Sequence, residues 1–261
     1  IIICWKWKGD LNEAYDLLQN IAKIELPKTD YMITCGGFIK SSFKDQIVTF
    51  DNKEPPKQII DSAISEATQI IHTLLDNDLK EKLKKNTKYL TLGIDLEKEF
   101  SFNKIELVAV INLQTDEIHF TGKSYPVCNQ QKTLIRITDY DSHFITLNGE
   151  SVLILGCHDL TVFNKRAEKS AGFWRSNIQK EFKNRINIKK PTIVLQHPHT
   201  TSKKRTWISS WSELNRICPE ISNFASAGLY FDPKHRERDN LDEILNATHK
   251  GNVLNIIVER Y

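Results

Sequence analysis

Ser151-Val152-Leu153-Ile154-Leu155-Gly156-Cys157-His158-Asp159-Leu160 closes a longer passage, Leu107 to Leu160, around which the whole chain can be read. That passage opens with the apolar run Leu107 to Leu113 and turns at Thr115-Asp116-Glu117. It returns as Ile118-His119-Phe120 and reaches Thr121-Gly122-Lys123-Ser124-Tyr125-Pro126. Two apolar arms about a polar turn predict a β-hairpin. Val152 to Leu155 predicts a further buried strand that stops abruptly at Gly156. A lysine just past one strand and a cysteine just past another are two reactive groups that a sheet can bring side by side.

Upstream, Ile1-Ile2-Ile3-Cys4-Trp5 has the β-branched character of a buried strand, and Gly9-Asp10 supplies a turn and a helix cap. Leu11, Ala14, Tyr15, Leu17, Leu18, Ile21 and Ala22 recur at helical spacing up to Pro27. Tyr31 to Cys35 reads as a second strand, halted by Gly36-Gly37. Residues 40–57 are polar and carry Pro55-Pro56, so a surface loop is expected there. Pro56 to Lys85 predicts one long helix, and Tyr89 to Ile94 a third strand with Asp95 at its end. Strands separated by helices imply crossover connections, while the hairpin implies an antiparallel portion, so the expected sheets are mixed.

Downstream, helical spacing covers Ala167 to Phe182, and Thr192 to Leu195 is another buried strand. A helix bearing Trp207, Trp211 and Leu214 follows, then a strand from Phe224 to Phe231, a short helix from Leu241 to Leu245 and a last strand from Val253 to Val258. Trp5, Trp7, Trp207 and Trp211 are expected in packing contacts. The reading is a single α/β domain spanning 1–261.

Composition narrows the function classes. The 261 residues are 40% hydrophobic, enough for a sizeable core, and the net charge of +3 comes from 36 basic and 33 acidic residues. That near balance gives no field that would by itself select a nucleic acid or a membrane surface. Lysine-rich spots such as Lys80 to Lys88 and Lys203-Lys204-Arg205 are expected to be solvated faces. Five cysteines, Cys4, Cys35, Cys128, Cys157 and Cys218, are odd in number and widely spaced, which suggests neither a disulfide framework nor a zinc knuckle. A reducing, cytoplasmic setting is the simpler expectation. No run of about 18 apolar residues and no basic-then-apolar leader is found, so neither a membrane span nor a signal peptide is expected. The chain starts at Ile1 and not at Met, which leaves room for a domain fused upstream.

Ligands of α/β sheets sit beyond the carboxyl ends of the strands, so the residues to inspect are Cys35-Gly36-Gly37, Asp95, Lys123, Cys157-His158-Asp159 and His197-Pro198-His199. A cysteine at a sharp strand-to-helix turn presents its thiol to substrate, and the following backbone N–H groups can hold an oxyanion. A nearby ammonium favours the nucleophilic thiolate. The plainer alternative is a small buried thiol at a strand end. His158, Asp159, His197 and His199 raise the possibility of a divalent metal site suited to zinc, manganese or iron. Their spacing matches no known signature, and no metal or other cofactor is assigned.

Lys123-Ser124-Tyr125-Pro126 after a hairpin, then a strand, then Cys157-His158-Asp159-Leu160, resembles the lysine and cysteine segments of the nitrilase, or carbon–nitrogen hydrolase, superfamily. His158 stands where that family has an aromatic residue, and the order of strands and helices follows the family's over most of the chain. The resemblance implies an α-β-β-α sandwich with mixed sheets and hydrolysis or transfer at an amide or nitrile C–N bond. It implies Cys157 as nucleophile and Lys123 beside the developing charge. His158, Asp159, His197, His199, Cys35 and Gly36 would line the substrate. The family's habits also imply a small-molecule substrate and a homodimer.

Members of the family use a Glu-Lys-Cys triad whose glutamate follows the second strand. Here that place reads Cys35-Gly36-Gly37-Phe38, without a carboxylate, and Asp95 and Glu97 are the nearest substitutes. The additional glutamate often found after the lysine is also lacking, with Asn129, Gln130 and Gln131 in its place. The rival reading is a sandwich that keeps the fold and uses its pocket for ligand sensing or partner binding. A metal-dependent hydrolase using the His-Asp and His-x-His residues is a further alternative.

Overall fold

Strands β4 (Thr87–Lys98) and β5 (Lys104–Asn112) are apolar on both faces, which requires cover on both sides of the sheet they share. Leu90, Leu92, Ile94, Leu96, Ile105, Leu107, Ala109 and Ile111 point one way, into a cluster with the helices α1 (Leu11–Lys23), α2 (Lys57–Leu74) and α3 (Asn77–Leu83). Tyr89, Val108 and Val110 point the other way and meet Val152, Ile154, Ile193 and Leu195 of a second sheet. The second sheet's outer residues Leu153, Leu155 and Val194 pack on α4 (Phe173–Lys189), α5 (Lys204–Ile217) and α6 (Leu241–Thr248). Alternation along the strands therefore generates the layers helix, sheet, sheet, helix, with a separate apolar core in each gap. The computed structural model describes residues 1–4, 7–43, 54–98, 103–127, 130–165, 172–199, 204–227 and 241–258.

The first sheet runs β2 (Thr29–Ile33), β4, β5, β6 (Ile118–Gly122), with β3 (Ile39–Phe43) also on β4. β2 pairs in parallel with Thr87–Thr91 and β3 with Ile94–Lys98, so the two share one edge of β4 and are interrupted between Thr34 and Phe38. The second sheet runs β10 (Asn223–Ser226), β9 (Ile193–Gln196), β8 (Glu150–Leu155), β7 (Phe144–Leu147). Both sheets mix parallel and antiparallel pairs, as expected. β1 (Ile2–Cys4) pairs in parallel with β11 (Ile256–Val258) as a small third sheet.

Several boundaries differ from expectation. The expected loop over residues 40–57 begins as β3, whose Ile39 and Phe43 are buried while Lys40 and Ser42 are exposed; residues 44–53 lie outside the described residues. The long helix is two, because Leu75 leaves helical geometry and Asp76 caps a new start, its Oδ1 accepting the Leu79 N–H at 2.7 Å. α4 starts at Phe173, with 166–171 outside the described residues, and continues to Lys189. β10 ends at Ser226, with 228–240 also outside, and the last strand starts at Ile256. Trp7 stacks on Phe38 as a core residue; Trp5 is not among the described residues. Among the described residues no helix is long and apolar enough to cross a membrane.

Candidate active site

The site grows from a row of residues across three neighbouring strands. Asp95 on β4 is the register partner of Glu106 on β5. One step beyond the pair Leu107 and Gly122, Glu106 faces Lys123, whose N–H donates to the Glu106 carbonyl at 2.8 Å. Side chains in register share a face, and Glu106 has the parity of Val108 and Val110, which point between the sheets. Lys123 Nζ therefore lies 3.0 Å from Glu106 Oε2 and 3.2 Å from Oε1, with the lysine side chain fully buried. Lys104, two residues before Glu106 and so on the same face, puts its Nζ 2.8 Å from Oε1. Gln130 Nε2 donates to that oxygen at 3.4 Å.

Cys157 comes from the other sheet, one residue beyond Gly156 at the end of β8. A Cβ on Gly156 would stand 2.9 Å from both the Lys123 Cα and the Lys123 N, so only glycine lets the two segments approach this closely. Asp159 holds them together. Its Oδ1 accepts the Ser124 N–H at 3.0 Å and the Tyr125 N–H at 2.8 Å, and its Oδ2 accepts the Gly156 N–H at 3.0 Å. Burial pushes the Asp159 carboxyl up to about 7, against these three N–H groups. His143 adds a second tie, with Nδ1 2.7 Å from the Ile154 carbonyl and Nε2 2.8 Å from Ser124 Oγ. Burial brings His143 down to about 4.

A third segment closes the site from β9. His197 is buried with Nδ1 2.8 Å from the Thr34 carbonyl, and burial lowers it to about 4. The neutral ring therefore donates from Nδ1 and spans the gap between the sheets. The Gly36 N–H donates to the Pro198 carbonyl at 3.1 Å. His199 donates its backbone N–H to Cys157 Sγ at 3.3 Å, and its Nε2 lies 2.7 Å from Asp95 Oδ2. Its Nδ1 is 3.7 Å from Glu106 Oε2.

Lys123, Cys157, Asp95 and His199 thus converge, with His158 beside the thiol, whereas Glu97, Cys35 and Asp159 do not present a side chain to it. Glu97 is exposed on β4. Cys35 is buried in the outer apolar layer beside Cys4, and contact with that thiol together with burial raises its own well above the usual value. Asp159 is fully buried and its carboxylate is occupied by backbone donors, so it organises the site from behind. His158 stacks on Trp207, with ring centroids 6.1 Å apart. The four residues considered for a metal are therefore not one ligand set: Asp159 and His197 are engaged elsewhere. Among the described residues, the ligand atoms that do lie within 4.8 Å of one another belong to Glu106, Cys157 and His199.

The charges interlock. Burial opposes a Cys157 thiolate, but His158, His199 and Lys123 outweigh it and hold the thiol well below its usual value. Burial likewise opposes the His199 cation, yet Asp95, Cys157 and Glu106 hold that ring well above the ordinary imidazole range. Glu106 is kept ionised against burial by Lys123, His199 and Lys104. Lys104 in turn is raised to about 12, its burial overcome by Glu106.

No family model and no curated protein matches the sequence. Solved structures do match. An amidase from Nesterenkonia sp. AN1, whose active-site cysteine carries an acrylamide Michael adduct, aligns at 11% identity over 87% of this chain and 78% of its own, with a TM-score of 0.50. XC1258 from Xanthomonas campestris, a CN-hydrolase superfamily protein with an arsenic adduct in the active site, aligns at 8% identity over 91% of this chain and 77% of its own, also with a TM-score of 0.50. The chain has the mixed-sheet, α-β-β-α sandwich fold of the nitrilase superfamily.

Proposed function

We propose that this chain is a carbon–nitrogen hydrolase of the amidase or nitrilase type, working as one domain on a small molecule, with Cys157 as nucleophile. The observation that carries the reading is the convergence of a fully buried lysine, Lys123, and a thiol held toward thiolate, Cys157, from the ends of two different sheets. Thiolate attack on a carbonyl or nitrile carbon makes a covalent acyl or imidate adduct. Lys123, whose charge is secured by Glu106, stands beside the region where negative charge develops. A homodimer in a reducing, cytoplasmic setting fits this reading.

The test is ammonia release from a panel of primary amides and nitriles, compared with a Cys157→Ala variant that should release none. Intact-mass measurement of the acylated wild-type protein would locate the adduct. A wild-type protein that forms no adduct and releases no ammonia across the panel would return the fold to the rival reading of ligand sensing, which the carboxylate-free Cys35-Gly36-Gly37 segment favours.

A further inference from the structure

We propose that His199, oriented by Asp95, carries the proton for Cys157 and replaces the glutamate that the resembled family places after its second strand. The chemistry rests on the function proposed above; the state of the thiol does not.

Two carboxylates near the thiol are already committed to other partners, and His158, which also acts on the thiol, is stacked on Trp207. Glu106 has both oxygens engaged by ammonium groups, Lys123 at 3.0 and 3.2 Å and Lys104 at 2.8 Å, with Gln130 on Oε1 as well. Asp95 reaches the cluster through its Oδ2, which is bonded to His199 Nε2 at 2.7 Å. That bond fixes the ring and leaves Nδ1 as the nitrogen on the side of Glu106. The polar atoms of Cys157 and His199 lie within 4.8 Å, and the backbone N–H of the same histidine already donates to Sγ. The His199 ring therefore lies within 4.8 Å of the sulfur, and in the proposed reaction its proton passes to the leaving group on the carbon that sulfur attacks.

The glycines explain where the glutamate went. A Cβ on Gly36 would stand 3.0 Å from His199 Nδ1, and one on Gly37 would stand 3.0 Å from both His199 Nε2 and Asp95 Oδ2. Gly37 also has φ +61°, which disfavours any side chain. A side chain at Gly36 or Gly37 would crowd the imidazole where it now sits. The base seat is occupied from the other sheet.

The steps balance as follows. The Cys157 thiolate forms a C–S bond to the substrate carbonyl carbon while the C=O π pair moves to oxygen. As that pair returns, the C–N bond breaks, and the His199 imidazolium gives its proton to the departing nitrogen, leaving a thioester, a free amine and a neutral ring. Water then attacks the thioester carbon and loses a proton to His199. The C–S bond breaks with its electron pair on sulfur, which releases the carboxylic acid and restores the thiolate and imidazolium.

The test is the alkylation rate of Cys157 by iodoacetamide from pH 4 to 10, read by peptide mapping, for wild type, His199→Gln and Asp95→Asn. The titratable and charged groups around the pair are Lys123, Lys104, His158, Asp95 and Glu106, and all but the substituted residue are retained in each variant. Wild type should already react at its plateau rate at pH 6. His199→Gln should react at least ten-fold more slowly there and recover at higher pH, with Asp95→Asn between the two. If both variants melt like wild type and keep its alkylation profile, the proposal is overturned; if His199→Gln does not fold, Asp95→Asn alone decides it. Where amides are hydrolysed, His199→Gln should lose about 100-fold or more in kcat with KM changed little, in line with general acid–base contributions of about 10²–10⁴. A wild type without turnover defeats the reaction assigned above, while the alkylation profile still judges His199.

Discussion

Glu106 stands directly across the hairpin from Lys123, backbone bonded to backbone at 2.8 Å and carboxylate bonded to ammonium at 3.0 Å, with both side chains buried. A buried ion pair of this kind is costly to break from one side, because the remaining charge keeps its desolvation penalty and loses its partner. Glu106→Gln should therefore destabilise the fold by about 3–5 kcal/mol. It should also cut turnover, since Lys123 would lose the charge that positions it. Urea denaturation followed by circular dichroism measures the first effect. A Glu106→Gln protein as stable as wild type would show that the pair contributes nothing net.

Acid should weaken the fold through two buried histidines, against one carboxyl, Asp159, that takes up its proton in the same range. His143 and His197 are both buried, and burial sets each near 4, below the ordinary 6.5. A lowered folded-state value means that the unfolded chain binds the proton first, so the contribution is complete above about 6.5 and is lost as pH falls toward about 4. Each histidine should lower stability across that window by on the order of a few kcal/mol, partly offset by Asp159, whose raised carboxyl is protonated in the folded state first. His143→Gln should flatten part of the dependence at the expense of stability at pH 7. A pH dependence between 7 and 5 that His143→Gln leaves unaltered would contradict the buried neutral ring.

Asp159→Asn tests the tie between the lysine and cysteine segments. The carboxylate accepts from Ser124, Tyr125 and Gly156, and an amide can accept with one atom only. Its NH2 would then face a buried N–H group, leaving donors unsatisfied at a cost of about 1–3 kcal/mol. The melting temperature should fall, and Cys157 alkylation should slow even though Asp159 bears on the thiol only through the backbone. A variant with native melting and native alkylation would show that the turn holds itself.

The architecture was largely legible because β4, β5 and β8 are continuous apolar runs and the helical spacing of α1 is strong. β3 escaped notice because only Ile39 and Phe43 are apolar in Ile39-Lys40-Ser41-Ser42-Phe43, the mark of a short edge strand. Inspecting strand ends found Lys123, Cys157, Asp95 and His199, but not Glu106, which lies within β5. Counting the hairpin outward from its turn would have placed Glu106 opposite Lys123, since the register from Ile111 and Ile118 to Leu107 and Gly122 has no bulge. The bond between Asp95 and His199 had no such signal. The two residues belong to different sheets, and only the packing of the sheets brings them together.

The loop that His199 packs against lies close on Gly93, and the last prediction concerns that approach. A Cβ there would stand 2.2 Å from the Cys35 carbonyl oxygen and 2.7 Å from the Gly36 Cα, both backbone atoms that cannot step aside by rotating a bond. The Gly93 N–H also donates to Thr34 Oγ1 at 3.2 Å, so the loop is anchored where the methyl would intrude. Gly93→Ala should push residues 34–37 away from β4, at a cost of about 1–3 kcal/mol by analogy with overpacked cores. The same displacement loosens the bond from Gly36 to Pro198 and moves the glycine loop that His199 packs against. Both the melting temperature and the pH profile of Cys157 alkylation should therefore change. Gly149→Ala is the control: its φ of +80° imposes strain, yet nothing lies within 4 Å of the added methyl. It should lower stability modestly and leave the alkylation profile as it was. If Gly93→Ala alters melting no more than Gly149→Ala and leaves the thiol unchanged, the close approach of the loop to β4 does not hold the site.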